Sequence, residues 1–121
     1  MNRYNVVGII LTSLIIIIII NYTYISCLCV LTNKVCVYIK NESGQIIKSG
    51  YLTAYETDTL KFYNLQNESA ICLKYYSPGE NAFTLITYLS DNKSFQFGPE
   101  YSESGYCFDL KITTNSIQIN R

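Results

Sequence analysis

Hydrophobic and polar residues alternate with a period of two along most of the chain after residue 33. This alternation is typical of strands that bury one face. Turn residues interrupt it at intervals of about 8–12 residues, as in all-β sandwiches and barrels. We therefore predict a small antiparallel β-sandwich or barrel of about eight short strands. The predicted strands are 34–40, 45–55, 59–65, 70–77, 82–90, 95–98, 106–114 and 116–120.

The N-terminus has a different pattern, because residues 6–20 are almost entirely hydrophobic. No charged residue occurs between Arg3 and Lys34. A hydrophobic stretch of about 7–15 residues after a positive charge is typical of a secretory signal, whereas a membrane-spanning helix needs about 20. We expect a signal peptide or signal-anchor helix over residues 1–27 and an exported β domain over residues 28–121.

Two alternatives stay open for this leader. Its length favours cleavage, but no alanine precedes Ala54 to supply the small residues of a cleavage site, and the nearest fits are Ile25 with Cys27 or Cys27 with Cys29. Extended through residues 22–25, with two tyrosines at the interface, the segment would reach spanning length. The product is either a secreted domain that begins near Leu28 or Val30, or a single-pass membrane protein. In both cases the C-terminal domain lies outside the cytosol.

The cysteines after the leader are expected to form disulfides, because the compartment is oxidising. Strand alternation places Cys36, Cys72 and Cys107 on the more polar face of their strands. Cys36 and Cys107 lie level with one another, since their strands start at the same end of an antiparallel domain. We predict that these two form a disulfide, which leaves Cys72 for Cys29 or as a thiol.

Glycosylation sites are indicated by the triplet N-x-S/T, which occurs at four asparagines, including Asn21 in the leader. The other three lie in predicted turns after the first, third and fifth strands. Because successive strands reverse direction, these turns are expected at one pole of the domain. We expect glycans at Asn41, Asn67 and Asn92.

The opposite pole is expected to hold loops 55–58, 77–81 and 98–105, which together we call the acidic pole. Tyrosines give a large contact area at low entropic cost, and carboxylates attract a basic partner. The alternative is a set of solvated turns whose acids only keep the protein soluble. The predicted partner-binding residues are Tyr55, Glu56, Asp58, Tyr76, Glu80, Glu100, Tyr101 and Glu103.

Candidate chemistry is sparse. The chain has no histidine, which excludes a Cys-His dyad, a Ser-His-Asp triad and every His-containing zinc site. Its glycines form no phosphate-binding loop. We therefore predict no catalytic residue, no metal site and no cofactor. Nine basic and nine acidic residues give no basic surface for nucleic acid or an anionic membrane, so membrane contact would come only through the leader.

The expected function is that of a non-enzymatic, exported glycoprotein domain that binds a host or partner protein. Abundant Ile, Asn, Tyr and Lys suit an AT-rich genome, and a viral or parasite surface or decoy protein would fit. The alternative is a structural envelope component held by an uncleaved anchor. A small exported hydrolytic or lytic enzyme is disfavoured, because histidine and clustered acids are missing.

Overall fold

The computed structural model describes the backbone of residues 3–120 and the side chains of residues 5–21 and 32–120. This part of the chain forms one helix followed by eight strands. The elements are α1 (Arg3–Leu31), β1 (Lys34–Asn41), β2 (Ile47–Ala54), β3 (Leu60–Leu65), β4 (Ala70–Tyr76), β5 (Asn81–Leu89), β6 (Ser94–Ser102), β7 (Cys107–Ile112) and β8 (Ile117–Ile119).

The strands form two four-stranded sheets. One has the order β4-β1-β7-β8 and the other has the order β3-β2-β5-β6. The barrel alternative is wrong, because no closed barrel forms among residues 3–120. Neighbouring strands are antiparallel as predicted, with one exception: β1 and β7 start at the same pole and pair in parallel.

The predicted alternation accounts for the core. In β1, Val35, Val37 and Ile39 are fully buried, and the residues between them face outward. Phe83 of β5 joins the two sheets, since its ring centroid lies 4.9 Å from that of Phe108 in β7. Burying a large apolar side chain contributes about 1.5–3 kcal/mol, so the shared core is the main source of stability.

Strand β6 departs from the prediction, which placed a short strand at 95–98 and a loop after it. The strand continues to Ser102, past a register shift against β5 between Phe83 and Leu85. Gly98 makes this possible: it has a φ of +97°, and a Cβ there would lie 2.5 Å from the Phe83 carbonyl oxygen. Residues 98–102 therefore belong to an edge strand.

Helix α1 contains the hydrophobic leader. Every large hydrophobic side chain from Val6 to Ile20 is exposed, and Asn21 Nδ2 donates to the Ile17 carbonyl at 2.9 Å. No helix in the described part of the chain meets the length and apolarity required to cross a membrane. The expected domain boundary between residues 27 and 28 falls inside α1. The side chain of Cys29, the proposed partner of Cys72, lies outside the described residues.

Candidate partner-binding surface

Hydrogen bonds tie the connections at one end of the two sheets together. Asn81, at the start of β5, holds the backbone of Tyr55: its Oδ1 accepts from the Tyr55 N–H at 2.9 Å and its Nδ2 donates to the Tyr55 carbonyl at 3.1 Å. The Ser77 N–H donates to the Asn33 carbonyl at 2.7 Å, and Ser104 Oγ lies 3.2 Å from Asn33 Oδ1. The β2–β3, β4–β5 and β6–β7 connections thus meet beside the start of β1.

A first cleft of about 320 Å³ lies between the β2–β3 and β4–β5 connections. Two tyrosines line it, Tyr55 with 73% of its surface exposed and Tyr76 with 58%. Two carboxylates, those of Glu56 and Glu80, line it as well. The cleft therefore brings together four of the eight predicted binding residues.

A second cleft of about 330 Å³ shares Glu56 and Tyr76 with the first. It adds Asp58, a fifth predicted residue, together with Leu60 and Lys74. Lys74 is a residue that the sequence interpretation did not include. It gives this cleft a positive charge that the first cleft does not have in its lining, so the two neighbouring sites differ in electrostatic character.

Tyr101 and Glu103 form a third part of the acidic pole. The Tyr101 hydroxyl donates to Glu103 Oε1, and the Tyr101 ring packs edge-on against Tyr106 with centroids 6.2 Å apart. The hydrogen bond to the carboxylate raises the pKa of Tyr101 above its usual range, and the negative charges of Glu103 and Glu80 add to the effect.

Glu100 is the predicted residue that does not share this surface. It pairs with the buried Phe83 and is itself half-buried, so its side chain lies on the inner face of the sheet. Tyr101, the next residue, faces the other way. The expectation of one continuous loop from 98 to 105 was wrong, because β6 extends through Glu100 and Tyr101.

The acidic pole is not free of positive charge. Lys34 of β1 is the register partner of Tyr76, and Lys74 lines the second cleft. Ion pairs among residues 32–120 do not involve Glu56 or Glu80. The two carboxylates of the first cleft are therefore available to an incoming cation.

The turns that carry the three predicted glycosylation sites meet at the opposite pole. Asn67 Oδ1 accepts from the Gly44 N–H at 2.9 Å, Gln45 Oε1 accepts from Ser90 Oγ at 2.6 Å, and Lys48 Nζ donates to Asn92 Oδ1 at 3.0 Å. Asn67 and Asn92 are exposed, as a glycan requires. These contacts join the β1–β2, β3–β4 and β5–β6 connections.

Asn41 is unsuited to carry a glycan in the folded domain. It is 0% exposed, and its Nδ2 donates to the carbonyls of Gln45 at 2.8 Å and Leu65 at 2.9 Å. Its Oδ1 accepts from the N–H and the hydroxyl of Ser43. The triplet at 41–43 is thus an Asx turn, and this structural role contradicts the glycosylation expected at Asn41.

The two cysteines of the predicted disulfide lie opposite one another. Cys36 and Cys107 are register partners in the parallel β1–β7 pair. Adjacent strands are about 4.8 Å apart, and a disulfide requires Cα atoms about 4.4–6.8 Å apart. Cys72 lies on β4, opposite Tyr38 and on the other side of β1. The strand order therefore brings Cys36 close to Cys107 and keeps Cys72 away from it.

Some residues of the pole were missed by sequence interpretation. The role of Asn81, which hydrogen-bonds the backbone of Tyr55, was not predicted, because Asn81 was treated only as part of a turn. Its position directly after the turn residues at 78–80 could have indicated this role. The outer face of the second sheet also carries tyrosines, because Tyr51 packs edge-on against Tyr63 at 6.5 Å and Tyr88 at 6.1 Å. These three tyrosines line neither cleft.

Comparison with known proteins identifies a fold and no family. No protein-family model matches the chain, and no curated protein matches it. The chain is similar to a solved NMR structure of a protein from Eubacterium rectale, with a TM-score of 0.58 and 10% sequence identity over 74% of this chain and 90% of that one. At this identity the likeness bears on the fold alone.

Proposed function

We propose that the chain is a non-enzymatic, exported binding domain whose acidic pole holds a basic segment of a partner protein. The observation that carries the proposal is the pair of adjoining clefts, which share Glu56 and Tyr76 and are lined by exposed tyrosines. Tyrosine is enriched at binding hot spots, and clefts of about 300–1,000 Å³ are typical of ligand sites.

Export is supported by the leader sequence. A single basic residue precedes the hydrophobic stretch, and the triplets at Asn67 and Asn92 lie in exposed turns. Glycans at these two positions would cover the pole opposite the clefts. A surface or decoy protein of viral or parasite type, with one pole shielded and the other binding a host protein, fits this distribution.

Selection from a random peptide library displayed on phage tests the proposal. The bait is the full chain, secreted from eukaryotic cells so that the cell processes the leader. We expect enriched peptides to carry net positive charge and to bind more weakly as salt increases. Tyr76→Ala should weaken binding by more than about 1 kcal/mol. The matched control is Tyr63→Ala, which removes an exposed tyrosine from the outer face of the second sheet.

The proposal is overturned if enriched peptides are neutral or acidic, or if a folded Tyr76→Ala variant binds them as well as the unmodified chain. A combined Tyr101→Ala and Glu103→Ala variant measures whether the third part of the acidic pole contributes to peptide binding. Its effect is expected to be smaller, because these residues hydrogen-bond to each other and do not line either cleft.

A structural envelope component held by the leader is the second candidate. What favours it is the exposure of every large hydrophobic side chain from Val6 to Ile20 on α1. Fractionation of the producing cells separates the two: protein in the medium supports the secreted binding domain, and protein recovered with membranes supports the anchored component.

A further inference from the structure

We infer that the first cleft binds the guanidinium group of an arginine side chain, stacked against Tyr55 and Tyr76 and paired with Glu56 and Glu80. This inference rests on the proposed function, because it assigns a ligand chemistry to one site within the acidic pole. It also gives the two neighbouring clefts different roles: the first would hold the arginine, and the second would hold a non-basic residue next to it.

The size of the cleft suits one side chain. Its volume of about 320 Å³ is at the lower end of the range for small-molecule sites, which is about 300–1,000 Å³. The lining consists of two runs of consecutive residues, 55–56 and 76–81. A single inserted side chain, with its backbone running over the rim, would occupy such a space.

The walls of the cleft are held in place before a ligand binds. Asn81 fixes the backbone of Tyr55 through two hydrogen bonds, and its Oδ1 also accepts from the Ala82 N–H at 2.7 Å. Ser77 is buried, and its Oγ donates to the Gly79 carbonyl at 3.0 Å. A preorganised site loses less conformational entropy on binding, which favours recognition of a small group.

The charges of the cleft select a cation. Glu56 and Glu80 line it, and neither forms an ion pair within the part of the chain whose side chains are described. A neutral or anionic ligand would cover these carboxylates without compensating them, and an uncompensated buried charge is costly. A cation would supply the missing partner to both.

The tyrosines favour arginine over lysine. A guanidinium is planar, weakly hydrated, stacks on aromatic rings and can pair with a carboxylate through two parallel hydrogen bonds. An ammonium group is strongly hydrated and acts as a point charge. The presence of two exposed tyrosines and two carboxylates in one lining therefore suits the chemistry of arginine better than that of lysine.

The second cleft limits what can follow the arginine. It shares Glu56 and Tyr76 with the first cleft, but its lining adds Lys74, whose charge offsets that of Asp58, so it attracts a second cation less strongly. Leu60 supplies an apolar surface there. The motif we infer is therefore a single arginine with a non-basic neighbour, and not a run of basic residues.

The test uses short peptides of defined sequence and NMR titration of the isotope-labelled full chain. The probes are capped Gly-Gly-Arg-Leu-Gly and the same peptide with citrulline or lysine at the arginine position. Citrulline keeps the shape of arginine and removes its charge. We expect the arginine peptide to bind at least about fivefold more tightly than either of the others. Its binding should change the NMR chemical shifts of Tyr55, Tyr76 and Asn81.

Substitutions in the chain test which charged residues determine the preference for arginine. Glu56→Gln and Glu80→Gln are at the surface and preserve side-chain size, and each should reduce the preference for arginine over citrulline by about threefold or more. The control Glu68→Gln removes a carboxylate from the opposite pole and should leave the preference unchanged. Lys74→Gln should improve binding of Gly-Gly-Arg-Arg-Gly relative to Gly-Gly-Arg-Leu-Gly.

The outcomes separate this inference from the proposed function. The inference of an arginine site is overturned if the arginine and citrulline peptides bind equally well. It is also overturned if the chemical-shift changes are confined to the face with Tyr51, Tyr63 and Tyr88. The proposed function survives that result if library-selected basic peptides still require Tyr76. Absence of binding by both library and defined peptides at the acidic pole overturns both.

Discussion

The carboxamide of Asn41 links three segments of the chain at the residue scale. It joins the end of β1 to Gln45 in the following turn and to the Leu65 carbonyl at the end of β3. Both of its polar atoms are hydrogen-bonded although the residue is fully buried. Because buried polar groups are costly when unpaired, this side chain is expected to be structural.

Replacement of Asn41 by Ala is predicted to lower the free energy of unfolding by about 2–3 kcal/mol, because each buried group left unpaired costs about 1–3 kcal/mol. Urea denaturation of the deglycosylated protein measures the loss. Asn115→Ala is the control: Asn115 is exposed and, among the residues that the structure describes, only its backbone is hydrogen-bonded, so the expected change is below about 0.5 kcal/mol. A glycan found on Asn41 by mass spectrometry would contradict the structural role.

The parallel pairing of β1 with β7 is the main feature at the element scale. It aligns Lys40 with Lys111, and Glu42 lies between them at 2.8 Å from Lys40 Nζ and 3.2 Å from Lys111 Nζ. One carboxylate thus offsets the repulsion of two neighbouring cations. The hydrogen bond from Lys40 and the one from Lys111 lower the pKa of Glu42 below its ordinary value of 4.5.

The stability that Glu42 provides is predicted to depend on pH. Since the pKa of Glu42 is lower in the folded state than in the unfolded state, the contribution is complete above pH 4.5 and is lost as the pH falls through the lowered value. The difference in Tm between the unmodified chain and Glu42→Gln should therefore be constant near neutral pH and shrink in acid.

Glu68→Gln is the matched control for this pH series. Glu68 lies at the same pole and its carboxylate is 4.0 Å from Lys40 Nζ, but it is largely exposed. Exposed ion pairs contribute little, so its substitution should change Tm less than Glu42→Gln does near neutral pH. A Tm difference for Glu42→Gln that grows in acid would contradict the assigned direction of the pKa.

The same strand pair places Cys36 opposite Cys107, and we predict that they form a disulfide in the exported protein. Peptide mapping under non-reducing conditions detects the disulfide. A Cys72–Cys107 bond would contradict the strand order, because two strand spacings separate β4 from β7, roughly 9–10 Å, whereas a disulfide requires less than about 7 Å between Cα atoms.

At the scale of the whole molecule, the two poles carry different chemistry. One pole has exposed asparagines at Asn67 and Asn92, and the other has the clefts with Tyr55 and Tyr76. The difference arises because successive connections lie at alternate ends of the fold. The β1–β2, β3–β4 and β5–β6 connections form one pole, and the β2–β3, β4–β5 and β6–β7 connections form the other. A glycan at either asparagine would leave the clefts open.

The mature protein is predicted to begin near Leu28 or Val30 and to carry glycans at Asn67 and Asn92. Intact mass, measured before and after enzymatic deglycosylation, gives both the N-terminus and the number of glycans. A mass that includes residues 1–20 would reject the secreted form and support the anchored envelope component. An unchanged mass after deglycosylation would reject the glycoprotein assignment.

Apart from the second half of β6, the positions of the strands and the direction of their side chains follow from the sequence alone. Alternation is a local property of extended chain, so Val35, Val37 and Ile39 could be assigned to the core and Cys36 to the outside. The turns after β1, β3 and β5 were located in the same way. The same reasoning grouped the loops from which five predicted residues line the two clefts.

Only the tertiary structure decided which strands are neighbours, and three results depend on that choice. The β1–β7 pair is parallel, Asn41 is buried against β3, and β6 continues through Gly98 so that Glu100 faces inward. Each depends on contacts between residues far apart in the chain. Local periodicity contains no information about such contacts, because the same alternating strand can pair with several partners.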